Sequence, residues 1–203
     1  MEISLNGKTA LIAGAGSGIG RAIALAFAEL KANVVIADID AAKGHATGQL
    51  VTAAGGEHLV TQTDVRDPLQ VRALMHAADQ RFGGLEVLVN NVGHHLGIIK
   101  KLEATSDDEI DALYHANLRH MFVVTRAALP LLRRSGRGAS IINVSSIEGF
   151  RGCPTHVAYT TLWQRVWVVS RTSSKHEPDT RPIAGPAHRT RRQCTRVDPA
   201  RRR

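Results

Sequence analysis

Cysteine is scarce in this chain: Cys153 and Cys194 are the only two, far apart and outside any metal-ligand spacing. That excludes a disulfide-stapled scaffold and predicts two reduced thiols. No apolar run approaches the roughly 20 residues a spanning helix needs. No charged-then-apolar leader opens the chain either, since Met1 to Gly7 is short and mixed. The expectation is a soluble, cytoplasmic protein with no membrane partner. Internal repeats are absent as well. Acidic residues are short only in one place. Residues 1–160 carry 15 basic and 15 acidic side chains, whereas 161–203 carry 11 and 3, so the whole net charge of +8 lies in the tail. Arginines there could hold phosphates non-specifically. Without interleaved aromatics or a folded reader, no nucleic-acid partner is expected.

What is present is alternation. Short β-branched runs at 9–14, 33–38, 57–65, 85–91 and 139–146 are separated by helical patterns at 18–30, 41–54, 67–82 and 107–134. Repeated β-α units predict an α/β, Rossmann-type, doubly wound and mostly parallel sheet. Pro68 falls where a first helical turn misses no N–H. Ser106 and Glu109 form a capping box. The cluster Asp107, Asp108, Glu109 and Asp111 suits the positive end of a helix dipole, so no metal site is read there. Arg133, Arg134 and Arg137 suit the opposite end of the same predicted helix. His94 and His95 follow the "NNVG" turn; a pocket role stays open, with two exposed loop histidines the preferred reading.

The pattern stops near residue 160. "LWQRVWVVS" can extend a helix, but the Arg-, Pro- and Thr-rich remainder has neither period. Such a composition buries too little apolar surface to offset the entropy of ordering it. Two parts are therefore expected: a folded 1–160 and a basic, disordered tail over 161–203.

"AGAGSGIG" (13–20) joins the first strand to the first helix. Glycines there let the backbone turn sharply and approach a pyrophosphate, which the helix N-terminus then binds. Asp38 ends the second strand about 20 residues on, where a carboxylate can accept from a ribose hydroxyl. The pair predicts a dinucleotide site. A carboxylate at Asp38 would repel a 2′-phosphate, Ser17 adds no positive charge, and Arg21 is expected to face away along the helix. NAD is therefore expected in preference to NADP.

The spacing Gly14-x-x-x-Gly18-x-Gly20, with Gly16 extra, differs from the commoner fingerprint. Together with "NNVG" (90–93), Ser146 and Tyr159, it resembles the short-chain dehydrogenase/reductase family from about Gly7 to Thr161. The resemblance implies that Gly14, Gly18 and Gly20 line the pyrophosphate, with Ser17 and Ile19 nearby. It implies that Asp64 and Val65 flank the adenine. Asn91, in a motif whose usual alanine is here Val92, holds the fourth strand and the cofactor edge. Asn117 anchors a water in a proton relay, Ser146 hydrogen-bonds the substrate oxygen and Tyr159 is the acid/base. The implied reaction interconverts a small alcohol and its carbonyl compound, and a homo-oligomer is the implied assembly.

One family feature is missing. A lysine four residues after the tyrosine should lower the phenol's pKa and hydrogen-bond the nicotinamide ribose; here that residue is Trp163. A free phenol has a pKa near 10, and a neighbouring ammonium draws such a value down. Each unit not shifted is worth about 1.4 kcal/mol. An indole has one N–H, no charge and a bulk that crowds the cofactor. The family's two further strands are also not visible, so the sheet is expected to be incomplete and the strand at 139–146 to lie at its edge, an aggregation hazard. The abrupt change near Thr161 predicts a reading-frame shift in GC-rich coding DNA.

Overall fold

The structure is a computed structural model and describes residues 4–135 and 138–173. Five parallel strands form one sheet: β1 (Thr9–Ala13), β2 (Asn33–Asp38), β3 (His58–Gln62), β4 (Val87–Asn90) and β5 (Ser140–Asn143). Their spatial order is β3-β2-β1-β4-β5. The chain winds outward from β1 through β2 and β3, then returns to place β4 on the other side of β1. The switch point is therefore between β1 and β4, where a crevice opens at the strands' carboxyl ends.

β1 and β4 are buried along their full length, as expected for strands covered on both faces. On one face α3 (Pro68–Phe82) and α5 (His120–Arg134) pack Val71, Leu74, Val124 and Ala128 against Leu11, Val35 and Leu88. On the other, α1 (Gly18–Glu29) and α2 (Ala41–Ala53) pack Ala24, Ala28 and Val51 against Ile12, Val34 and Ile36. The helix starts follow local chemistry. Asp67 caps α3 by accepting from the Leu69 N–H at 2.8 Å, with Pro68 in the first turn. Both halves of the Ser106/Glu109 capping box open α4 (Asp107–Tyr114).

Three expectations need correcting. The long helix predicted over 107–134 is interrupted by a π-helical turn, His115–Arg119. The Asn117 Nδ2 donates to the Leu113 carbonyl at 2.9 Å, the acceptor that a regular helix reserves for the Asn117 N–H. Second, the third strand ends at Gln62, not 65: the Thr63 N–H bonds the Asp38 carbonyl at 2.8 Å and the chain turns away. Third, a short α6 (Glu148–Arg151) leads into α7 (Val157–Ser173), which takes in the "LWQRVWVVS" run read as able to extend a helix and so carries folded structure past the boundary expected at 160. Trp163 and Val166 explain this extension, because both are buried against Leu118 and Met121. The rest of the predicted tail, and Arg137, lie outside the described residues.

β5 has one strand neighbour, β4, among the described residues. Its alternation leaves Ile142 43% exposed while Ile141 packs on the core, so one face of the strand is covered and the other is open. No helix among the described residues is long and apolar enough to cross a membrane.

Candidate functional site

At the switch point the chain leaves β1 through Gly14, whose φ of +76° suits a residue without a Cβ. Two side chains from neighbouring strands clamp the loop that follows. From β2, Asp38 accepts from the Gly16 N–H at 2.7 Å and from the Asp40 N–H at 3.0 Å. From just beyond β4, Asn91 donates Nδ2 to the Gly14 carbonyl at 3.1 Å. Gly20 closes the turn: a Cβ there would collide with the Gly14 oxygen, so only glycine lets α1 start so near the strand. Ser17 takes the N-cap position in extended conformation without a side-chain cap, leaving the first turn of α1 open to a ligand.

These residues wall a cleft of about 490 Å³ that contains Gly14, Ser17, Gly18, Ile19, Asp38, Asp64, Val65 and Asn91 together. Gly16 and Gly20 are buried behind it and shape the loop. Ile19 and Ile39 are 64% and 57% exposed on its rim, apolar surface left open for a planar or sugar face. At the Asp64 end of the cleft the Arg66 guanidinium grips the carboxylate, holding its pKa below the usual range. Arg21 does not face away along the helix. Its guanidinium folds back to the Gly16 carbonyl and donates Nε to the Thr47 hydroxyl at 3.0 Å. The loop's carbonyl attracts the cation, a tertiary contact that helix periodicity does not show.

The residues assigned to chemistry stand apart from this cleft. Asn117 is fully buried. Its Oδ1 accepts from the His94 N–H at 2.8 Å and its Nδ2 donates to the His94 and Leu113 carbonyls, both at 2.9 Å. One amide hydrogen and the carbonyl oxygen thus pin the loop after β4 at His94, while the other amide hydrogen is held by Leu113 on α4. The Ser146 hydroxyl accepts from the Glu148 N–H at 3.3 Å. Tyr159, on α7, presents its ring edge-on to His95, His156 and Trp163, with centroids 6.5, 6.2 and 5.7 Å away. His156 is held by the Glu148 carboxylate at 3.2 Å. Neither Ser146 nor Tyr159 lines this cleft.

Trp163 fills the ground between. It is 4% exposed and its Nε1 has no hydrogen-bond partner among the described residues. The ring abuts Gly93 so closely that a Cβ there would collide with its Cζ2. His94 and His95 lie in a loop as expected, His94 exposed and His95 partly buried, and both also face neighbouring groups. His94 walls the cleft, the two rings stack at 4.9 Å, and His95 packs on Tyr159. Both Nδ1 atoms accept backbone N–H groups, of Leu96 and Gly97, and these turns orient the rings.

Two further residues escape sequence reasoning. Asn90, fully buried, donates Nδ2 to Thr125 at 3.1 Å and to Asn143 at 2.7 Å, tying β4 to α5 and β5. The "NN" pair is a signal for it. His120 is also fully buried, with no hydrogen-bond partner for either ring nitrogen among the described residues. Burial pushes its pKa down to about 4, against the opposing pull of the His115 and Val92 backbone and of Asp64. A polar residue in a helical pattern gives no sign of this.

A sequence profile described as short chain dehydrogenase matches residues 8–162. The chain belongs to the short-chain dehydrogenase family. Its relatives include an uncharacterized oxidoreductase of Thermotoga maritima, 36% identical over 78% of this chain and 61% of that protein. Another is the NADP-dependent (R)-specific alcohol dehydrogenase of Lentilactobacillus kefiri, 36% identical over 86% of this chain and 68% of that protein. Among solved structures, a 7α-hydroxysteroid dehydrogenase complexed with NADH and 7-oxo glycochenodeoxycholic acid superposes with a TM-score of 0.78 at 26% identity. That match covers 84% of this chain and 65% of the enzyme. The chain therefore spans about three fifths to two thirds of the length of these short-chain dehydrogenases, and the family match stops one residue before Trp163.

Proposed function

We propose that this chain is the NAD-binding portion of a short-chain oxidoreductase for small alcohols or ketones, in which nucleotide binding survives and turnover is largely lost. The observation that carries the reading is the clamped glycine loop. Gly16 N–H on Asp38 and Asn91 on the Gly14 carbonyl pre-shape a cradle beside an open helix N-terminus, so little ordering is left for a ligand to impose. The adenosine diphosphate end of a dinucleotide fits this donor set, with Asp38 facing the ribose, helix N–H groups facing the pyrophosphate, and Asp64 and Val65 beside the base. NAD is proposed over NADP because a carboxylate fixed at Asp38 repels a 2′-phosphate. The nearby Arg21 is already engaged by Gly16 and Thr47.

Ser146, Tyr159 and Asn117 are proposed as the inherited polarising, proton-moving and supporting residues. When bound, the nicotinamide would carry the hydride; the protein must position it and manage the proton. With Trp163 in the lysine's place the nicotinamide end does not fit the residues present, and no step is drawn through it. The same tryptophan favours a second reading, a non-catalytic nucleotide-binding module. We also propose that the reading frame shifted near Thr161. Resequencing the gene tests this, because another frame should then encode lysine four residues after Tyr159.

A thermal melt with and without NAD or NADP, followed by an alcohol screen, tests the main proposal. NAD should raise Tm more than NADP while oxidation of any alcohol stays slow. A larger shift with NADP overturns the cofactor assignment, and fast turnover abolished in Tyr159→Phe overturns the loss of function.

A further inference from the structure

We infer that the cleft takes an adenine nucleotide with a ribosyl diphosphate arm, of the ADP-ribose kind, and that the nicotinamide end of NAD contributes nothing to its binding. The inference rests on the dinucleotide reading above and deepens it by stating which end is held. Every group that chemistry would assign to the adenosine diphosphate moiety lies in one cleft: Asp38, Gly18, Ile19, Asp64 and Val65. The cleft wall then ends at Gly93, His94 and Leu96.

Against Gly93 stands the Trp163 indole, which on its own side lines a separate cavity of about 220 Å³ with Ser145, Gly149, Phe150 and Gln164. The Trp163 indole lies on Gly93 at a separation that would not admit one methyl group. The ring is not a loose flap, since Leu118, Met121 and Val166 hold it from behind. A chain of ring contacts runs from His94 through His95 to Tyr159 and on to Trp163. Both imidazoles in it are fixed by backbone N–H groups, and Asn117 pins His94 through two hydrogen bonds to its backbone. A second aromatic ring with its ribose cannot reach Tyr159 without displacing part of this stack. Any attraction made there would be offset by the ring packing it disrupts, so binding energy comes from the first half of the dinucleotide alone.

The test is saturation-transfer NMR with titration calorimetry on the full chain, using AMP, ADP-ribose, NAD and nicotinamide mononucleotide. The adenine protons of NAD should receive saturation and its nicotinamide protons none. ADP-ribose and NAD should bind within about threefold of each other, and nicotinamide mononucleotide should not bind. In Trp163→Leu the nicotinamide protons should gain saturation and NAD should become at least about fivefold tighter than ADP-ribose. If that variant does not fold, the unaltered chain decides alone. NAD binding about tenfold tighter than ADP-ribose, or equal saturation of both rings, overturns the inference and leaves the dinucleotide cleft standing. Binding of none of the four, AMP included, overturns both.

Discussion

The half of the sheet built on β1, β2 and β3 and the half built on β5, α6 and α7 are held together by different means. In the first, small residues and polar clamps set the geometry: Gly14 and Gly20 touch, Asp38 and Asn91 fix the loop, Ala24 and Ala28 let α1 approach the sheet, and Gly44 and Gly48 do the same for α2. In the second, one large ring does the work of several contacts. Trp163 supports Gly93, backs Tyr159 and joins α7 to the π-helical turn, and its carbonyl accepts from Ser145 at 3.1 Å. The first half keeps an open cleft. The second buries Trp163 where the family resemblance calls for a cofactor-facing cation. The proposed loss of turnover with retained nucleotide binding is physically coherent for this reason, because different elements carry the cradle and the reaction centre.

That contrast can be broken at its strongest point first. Trp163→Ala leaves a cavity under α7 and should cost roughly 3–5 kcal/mol in urea unfolding. A loss below about 1 kcal/mol would mean that β5, α6 and α7 are held by something else. The next effect is acid sensitivity where the halves meet. His120 is neutral when folded, with a pKa of about 4 against 6.5 for a free imidazole. Below about pH 6.5 the unfolded chain binds a proton that the folded one refuses, so stability falls as pH drops towards 4, by on the order of 3 kcal/mol. Urea melts at about pH 7, 5.5 and 4.5 should show this limb, and His120→Leu should flatten it.

Gly20→Ala probes the cradle. Its Cβ would meet the Gly14 oxygen, and the resulting backbone shift should cost about 1–3 kcal/mol. The same change should abolish nucleotide-induced stabilisation, whereas Trp163→Ala should keep it wherever the variant stays folded. Asn91→Ala is the mildest change. Losing one hydrogen bond to the Gly14 carbonyl should cost about 1 kcal/mol and speed hydrogen exchange at Gly16 and Ser17. Slower exchange there would show that Asn91 does not restrain the loop.

Much of this is legible in the sequence because it is local. Alternating periods locate all five strands, Pro68 and the Ser106/Glu109 box locate helix starts, and the Gly-rich run with Asp38 locates the cleft. Even the edge position of β5 follows from the missing alternation after residue 160. The helix interruption at Asn117 is not legible, since it depends on a side chain competing for the Leu113 carbonyl while His94 holds its other end. Arg21 points against expectation because its partner, the Gly16 carbonyl, comes within reach only after the loop has folded. The helical extension through "LWQRVWVVS" is legible from its apolar residues, whereas the core that Trp163 and Val166 find against Leu118 and Met121 is not.

The order of elements, the family and the chemical types available at each site are written in the residues, since periodicity, turn chemistry and motif spacing act between near neighbours. Tertiary packing alone decided what those types do here: that Trp163 lies on Gly93, that the imidazoles of His94 and His95 lead to Tyr159, and that His120 is sealed from water. Each depends on groups far apart in the chain meeting at atomic distance, and no local pattern carries that information.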